Sequence, residues 1–506
     1  MTIQVQTGLL WGVEGRLVTV EAERSKGIPF FDLVGLADGA VREAKVRVPR
    51  AVEASGYAWP RRRITVNMAP AHIKKEGSGL DLPIAIACMA ESLKMVDGRL
   101  DGLVALAELG LDGRLRGVQG LLPVVEAAKR SGLRRVLVAT ENAREAALVE
   151  GIEVHAFETL RSLFLWLEGK GESQSFAFLP ELSSQTSKDC FSEIRGQELA
   201  KRAATIAAAG AHHLLLSGPP GCGKTMVARR LPGIMPPMTP AERLEVLRVA
   251  SVTGKIAHDV SARPFRSPHH SVTSAGLVGG GRPLRPGEAT SAHGGVLFLD
   301  EVGEFRRHAI ESLRQALEEG RLSLVRAEGV MELPARFILV AATNPCPCGY
   351  YGSEQRGCRC SPPTVARYQE RMSGPLMDRI DLHVLLDAPS SKQVLGQTET
   401  NAEPSAVMAQ RVDGARRTAL ERQGCANGDL GARESLALAL GDPGINDFLC
   451  QALDRHLLSP RGLCRVLRVS RTIADLEGSQ HLHLNHLLEA MNFRPMTPRN
   501  VLASAA

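Results

Sequence analysis

The residues Gly218-Pro219-Pro220-Gly221-Cys222-Gly223-Lys224-Thr225 directly follow the apolar stretch Leu214 to Leu216. Their types suit one task, the binding of a nucleoside triphosphate. Glycines at 218, 221 and 223 let successive backbone N–H groups curl around phosphate oxygens. Lys224 places a cation against the β- and γ-phosphates, and the Thr225 hydroxyl can ligate magnesium. An apolar strand feeding a glycine-rich turn that opens a helix is the context a P-loop requires.

Two further strand ends supply what phosphoryl transfer to water needs. The run Gly295-Val296-Leu297-Phe298-Leu299 ends in Asp300-Glu301; Asp300 is expected to hold magnesium through water and Glu301 to polarise the attacking water. The apolar strand Phe337 to Ala342 ends in Thr343-Asn344. An isolated asparagine there would read as a turn residue, but after a P-loop and an acidic strand end it reads as a sensor that holds the water or contacts the γ-phosphate. The expected cofactors are ATP and Mg2+, with Thr225 and Asp300 on the metal.

These strands must be set in a large chain. Its 506 residues suggest two to four domains, and 44% hydrophobic content is ample for several cores. Lysine and arginine number 61 against 55 aspartate and glutamate, a formal charge of +6 that is compatible with an anionic partner without requiring one. No uncharged apolar run is long enough to span a bilayer, and Met1 to Arg16 lacks the pattern of a secretory signal, so a cytoplasmic protein with no membrane partner is expected. Ten cysteines in so long a chain fit reduced cytosolic thiols rather than a disulfide framework.

The fold class expected is α/β and multidomain. In residues 1–168, strands such as Arg63 to Met68, Leu103 to Leu106 and Val136 to Val138 alternate with helical patterns at Leu82 to Met95, Leu121 to Arg130 and Thr159 to Leu167. Residues 169–188 turn polar and read as a linker, 189–387 hold the P-loop core, and 388–506 form a predominantly helical tail.

The 75 residues from Thr225 to Asp300 exceed what one helix and one strand need, so an insertion is expected. It contains Arg263-Pro264-Phe265-Arg266-Ser267-Pro268-His269-His270 and Gly279-Gly280-Gly281-Arg282-Pro283-Leu284-Arg285, a composition that predicts a projecting loop or hairpin rather than core. A second projection is read at Arg321 to Leu333, two short strands around Ala327-Glu328-Gly329, with Arg326 near the tip. Arg266, His269, His270, Arg282 and Arg326 are the candidate DNA contacts, against the alternative of solvated surface arginines.

Residues 189–506 resemble AAA+ ATPases that carry a helix-2 insertion and a hairpin before the sensor strand, the group of magnesium chelatase motors and minichromosome-maintenance helicases. The strings Pro268-His269-His270, Gly279-Gly280-Gly281-Arg282, Asn344-Pro345-Cys346-Pro347-Cys348-Gly349 and Ser373-Gly374-Pro375-Leu376-Met377-Asp378-Arg379-Ile380-Asp381 are similar to the bacterial magnesium-chelatase-like family called YifB or ComM. The resemblance spans essentially the whole chain. It implies a ring-forming, usually hexameric, ATP-driven motor on single-stranded and branched DNA, a helicase or translocase associated with branch migration in natural transformation and recombination. Within it, Arg379 takes the place of an arginine finger lent to a neighbouring subunit, a role that suits an always-charged, bidentate group. An ion pair with Asp378 or Asp381 is its structural alternative. Arg461, in Ser459-Pro460-Arg461-Gly462-Leu463 before an amphipathic helix at Arg465 to Leu476, takes the place of a second sensor in the helical lid, with Arg465 and Arg468 as competitors.

The first domain resembles the proteolytic domain of Lon, a ribosomal S5 domain 2-like fold, through Lys74-Lys75-Glu76-Gly77-Ser78-Gly79-Leu80-Asp81-Leu82-Pro83 and Gly117-Val118-Gln119-Gly120-Leu121-Leu122-Pro123-Val124. Gly79 falls at the serine position of that family and Val124 at the lysine position. The fold is therefore expected without peptidase chemistry, since a serine with no partnered amine is a poor nucleophile. Arg61-Arg62-Arg63 and Lys74-Lys75 are basic enough to touch DNA, or are simply solvated. Cys346, Cys348, Cys358 and Cys360 can hold one Zn2+ tetrahedrally, or remain reduced thiols in a Gly-rich loop. The competing function is a magnesium-chelatase-type motor that remodels a metal-inserting partner; this chain carries no DxSxS metal-adhesion sequence.

Overall fold

The computed structural model describes residues 3–96, 98–176, 189–254, 262–281, 285–326, 329–352, 356–371, 374–388, 403–439, 443–455 and 458–494. The chain forms two compact units. The first comprises 1–183 with 244–260 and 323–333, and the second comprises 184–243, 261–322 and 334–506.

The first unit is built on β1 (Ile3–Trp11), β2 (Glu14–Ser25), β3 (Phe30–Val34), β4 (Arg63–Ala69), β5 (Leu103–Leu106), a small hairpin of β6 (Glu108–Leu109) and β7 (Leu115–Arg116), then β8 (Arg135–Ala139), β9 (Glu153–Phe157) and β10 (Gln174–Phe176). Its sheet has the order β10-β9-β8-β5-β1-β2-β4-β3. Every residue of β5 is buried, because helices cover both faces: Leu103 and Ala105 pack with the helices Gly39–Ala54, Asp81–Met89 and Leu160–Leu167, while Val104 and Leu106 pack with Leu121–Arg130. The continuous apolar run, rather than an alternating one, is the sequence trace of that double cover.

The expected helix Leu82 to Met95 ends at Met89, and the residues read as a linker include a short strand. Gln174 to Phe176 pair antiparallel with Val154 to Ala156 and extend the sheet by one edge. Polar composition suits an edge strand as well as a linker, which is why composition misread it. Residues 177–188 of that linker lie outside the described residues.

The first unit also contains segments expected to belong to the P-loop domain. In the helix Pro240–Val252, Leu244 and Leu247 pack into the apolar cluster of Leu121, Val125 and Val138. Arg248 grips Glu126 through two bonds of 2.7 and 3.0 Å, and the Ser251 hydroxyl donates to Glu145 at 2.6 Å. The hairpin is present as β16 (Arg321–Arg326) and β17 (Gly329–Pro334). A Cβ on Gly12 would lie 2.7 Å from Met331 Cγ, so the hairpin packs closely against the turn between β1 and β2.

The second unit holds a parallel sheet of β11 (Leu214–Ser217), β12 (Phe265–Arg266), β15 (Val296–Leu299), β18 (Ile338–Thr343) and β19 (Leu382–Leu385), in the order β12-β15-β18-β11-β19; β13 (Gly279–Gly280) and β14 (Arg285–Pro286) form a separate ribbon. Part of the insertion is therefore core rather than projection. Phe265 stacks on Phe298 with centroids 6.0 Å apart, and β12 can draw this close because residue 295 is glycine: a Cβ there would meet the Pro264 carbonyl oxygen at 1.9 Å. The tail is helical, with Ser405–Gln423, Ala432–Ala437, Pro443–Asp454, Pro460–Leu476 and Leu484–Asn492. One hydrophobic cluster runs from the helix Glu198–Gly210 to Val412, Val466 and Ile473 of the tail.

Buried polar groups fasten that tail to the sheet. His212 meets Asp381 at 3.2 Å and Thr472 at 2.8 Å; Asn427 donates to Thr472 and to Asp475; Asp475, with a fully buried side chain, also receives Arg422 and Arg471. Buried charges persist only when paired in this way.

Candidate nucleotide site

The strands β11, β18 and β19 end level with one another, and β15 ends two residues short of them. Ser217 of β11 pairs with Thr343 of β18 and with Leu385 of β19, and Leu299 of β15 pairs with Ala341. In an open parallel sheet, ligands bind at this carboxyl edge, and the candidate residues emerge from it. The P-loop leaves β11 with Gly218 N–H donating to the Thr343 carbonyl at 3.3 Å. Gly221 and Gly223 adopt φ values of +78° and +97°, and a Cβ at either would meet nothing within 4 Å, so the loop forms a cradle open on that side.

Lys224 is folded into that cradle. Its Nζ donates to the carbonyls of Gly218 at 2.6 Å and Pro219 at 2.9 Å, and to Asn344 Oδ1 at 3.1 Å. Burial pushes the ammonium below its ordinary range, a bias that polyphosphate would reverse. The Thr225 hydroxyl lies 3.3 Å from Asp300 Oδ2, so the two oxygen ligands expected for magnesium are already adjacent. Glu301 is exposed and holds a left-handed φ of +52°, uncommon for a residue with a side chain, while its N–H donates to Asp300 Oδ1 at 3.0 Å. The donor set thus fits ATP and Mg2+: amides and an ammonium for phosphate, a hydroxyl and a carboxylate for the hard cation.

Sequence reasoning missed Gln197. Its Nε2 donates to the Cys222 carbonyl of the P-loop at 3.2 Å and to the Asp387 carbonyl at 2.7 Å, holding the loop's outer rim. No spacing rule points to a single glutamine more than 20 residues upstream. Tyr368 is similarly silent in the sequence; its ring lies over Gly303, two residues beyond Glu301.

Arg379 pairs with Glu318 on the helix Arg314–Glu319, a partner different from those weighed from sequence, and its side chain is only 9% exposed. Asp381 is engaged with His212 and Arg465. Arg461 is exposed in the first turn of the helix Pro460–Leu476, whose N-cap Ser459 accepts from Gly462 N–H. Its competitors are committed elsewhere, Arg465 towards Asp381 and Arg468 to Ser435 and Gly428.

Among the DNA candidates, Arg266 is held by two bonds to Glu288, of 2.6 and 2.8 Å, inside the edge strand; it is a structural pair. His269 is exposed and tilts against half-buried His270 with ring centroids 4.0 Å apart. Arg282 lies outside the described residues, and Arg326 ends β16. Arg61, Arg62 and Arg63 are exposed, whereas Lys75 is fully buried with its ammonium on the Pro70 carbonyl, so it is no surface cation. Ser78 donates to Glu108, and Val124 is buried in the core.

The four cysteines do come together. All four Sγ atoms lie within 4.8 Å of one another, with separations of 3.3 Å for Cys346 to Cys348, 3.7 Å for Cys346 to Cys358 and 3.6 Å for Cys348 to Cys358. The backbone N–H groups of Arg359 and Tyr350 bring the Cys348 thiol down to about 6.

A doubly covered α/β unit, a parallel sheet whose strand ends carry a P-loop, an acidic pair and an asparagine, and a helical tail together have the architecture of the AAA+ family of the magnesium-chelatase type. Family descriptions agree along the chain: "Subunit ChlI of Mg-chelatase" matches residues 20–142, "Magnesium chelatase, subunit ChlI" residues 190–394, and its C-terminal part residues 402–494. Competence protein ComM of Haemophilus influenzae is 42% identical over 499 residues, covering 96% of each chain, and the YifB protein of Escherichia coli is 40% identical over 492 residues, covering 97% of this chain and 96% of its own. The chain belongs to the YifB/ComM family. A more distant likeness, 30% identity over 190 residues, links 33% of it to Lon protease 2 of Bacillus subtilis, 34% of whose length is covered.

Proposed function

We propose that this chain is an ATP hydrolase that assembles into a homohexameric ring and moves single-stranded or branched DNA, promoting branch migration in natural transformation or recombination. The observation that carries the reading is the alignment of Lys224, Thr225, Asp300 and Asn344 at one sheet edge, with Glu301 beside them, the set that positions ATP, Mg2+ and the attacking water. Arg379 is the cation a neighbouring subunit's γ-phosphate would receive once it leaves Glu318, and Arg461 is the lid's contribution. The 42% identity to a protein named for competence supports DNA as the partner. No helix among the described residues is long and apolar enough to cross a membrane, which is compatible with work in the cytoplasm. Zinc, where the four cysteines bind it, is a separate structural metal.

Three coupled measurements test the proposal. DNA should stimulate ATP hydrolysis, binding should weaken steeply as salt rises because phosphate contacts release counterions, and ATP should drive strand exchange on a four-way junction. Hydrolysis indifferent to DNA, with no exchange, would remove it. The second reading, a motor that remodels a metal-inserting partner, is favoured by the three magnesium-chelatase descriptions. It predicts stimulation by a partner protein in place of DNA.

A further inference from the structure

The loop that follows the sensor strand has features the nucleotide chemistry does not use. It runs Asn344-Pro345-Cys346-Pro347-Cys348-Gly349, so two prolines restrict the backbone while two cysteines point to a common centre with Cys358 and Cys360. Zinc bound to four thiolates at about 2.3 Å places the sulfurs roughly 3.8 Å apart. The observed separations of 3.3, 3.7 and 3.6 Å lie close to that value and far above a disulfide bond of about 2.05 Å. The Cys360 N–H donates to Cys358 Sγ at 3.4 Å, the kind of outer-shell bond that orients a thiolate ligand.

The same loop touches the nucleotide site at both ends. At its root, Asn344 accepts from Lys224. At its far side, Gly349 has a φ of +84°, and a Cβ there would lie 2.5 Å from Pro220 Cδ and 3.0 Å from Cγ, so the glycine lies flat on the P-loop ring. Cys360 leads directly into the helix Pro362–Glu370, from which Gln369 donates to the Pro345 carbonyl at 3.2 Å and Tyr368 covers Gly303. The cluster therefore joins the sensor, the P-loop and the segment after Glu301.

We propose that Cys346, Cys348, Cys358 and Cys360 bind one zinc ion as thiolates, and that this ion clamps the loop so that Gly349 braces Pro220 while Asn344 stays in register with Lys224. The ion takes no part in phosphoryl transfer; its effect is positional. The functional half of the inference rests on the nucleotide site being an ATPase site, whereas the metal half does not.

The test uses the full-length protein. Elemental analysis after purification under reducing conditions without added chelator is expected to give about one zinc per chain, released by a mercurial reagent and absent from Cys348→Ser. Cys360→His, which offers a Cys3His set, should retain the metal. Gly349→Ala should also retain it but lose at least tenfold in affinity for a non-hydrolysable ATP analogue, because the added methyl group displaces Pro220. Wild-type protein with less than a tenth of a zinc per chain overturns the site. Zinc-free Cys348→Ser, or Gly349→Ala, that binds the analogue as wild type does overturns the clamp. A zinc-loaded wild type that binds nucleotide without hydrolysing it refutes the proposed activity and leaves the metal site standing.

Discussion

Replacing Asn344 by alanine separates its observed bond to Lys224 from the sensing role proposed for it. In the structure its Oδ1 accepts from the Lys224 ammonium at 3.1 Å, beside the Gly218 and Pro219 carbonyls at 2.6 and 2.9 Å and the Cys222 sulfur at 3.9 Å. Removing it takes a hydrogen bond from the nucleotide-free state, worth about 0.5–1.5 kcal/mol net in a half-exposed position where water can replace the amide. On the proposed function, bound ATP draws Lys224 to the phosphates and that bond is given up in any case. The variant should therefore bind ATP as tightly as wild type or about two- to twelvefold more tightly, because only the free state has been destabilised. Turnover should fall about 10²–10³-fold, the scale for losing one oriented polar group that acts in the transition state. Titration with a fluorescent ATP analogue, paired with steady-state hydrolysis, reads both numbers. Affinity lost in proportion to turnover would mean that Asn344 binds ground-state nucleotide, and turnover at the wild-type rate would remove its sensing role altogether.

Glu301→Gln should still bind ATP while hydrolysis slows by at least about 10²-fold, since the amide cannot accept a proton from the attacking water; single-turnover hydrolysis checks it. Asp475→Ala leaves Arg422 and Arg471 facing a buried void and should cost about 3–5 kcal/mol of stability, measured by urea unfolding of the full chain. His383 is pushed down to about 4, chiefly by burial, so below pH 6.5 the unfolded chain takes up a proton that the folded one refuses. Its share of stability is complete above pH 6.5 and is lost as the pH falls towards 4, at about 1.4 kcal/mol per unit. His383→Leu should flatten that part of the acid-unfolding curve. Arg248→Ala strips the two bonds from Glu126, whose side chain is 10% exposed, and should destabilise the first unit by about 3 kcal/mol without altering nucleotide affinity.

The residues proposed to hold nucleotide could be singled out in the sequence because the chemistry they suggest is local. A P-loop is a contiguous run, and Asp300-Glu301 and Thr343-Asn344 terminate apolar strands whose parallel pairing makes adjacency of their ends nearly unavoidable. Leu103 to Leu106 and Leu121 to Arg130 were likewise fixed by apolar pattern alone. What depended on distant pairing was not visible. Gln174 to Phe176 became a strand only because β9 offered an open edge, and Phe265-Arg266 entered the sheet because Gly295 allowed close approach and Phe298 offered a ring to stack on. Composition had marked the first as a linker and the second as a projecting loop or hairpin.

Charge behaved in the same way. Sequence could count the basic residues of the insertion, but only the tertiary structure decided that Arg266 is neutralised by Glu288, that Lys75 is buried, and that Arg379 rests on Glu318. A side chain's type is written in the chain, whereas its partner, and hence its availability to phosphate, is set by which segments fold against it. The four cysteines show both sides: their spacing announced that a cluster was chemically reasonable, and the convergence of their sulfurs came from the path of the loop in three dimensions.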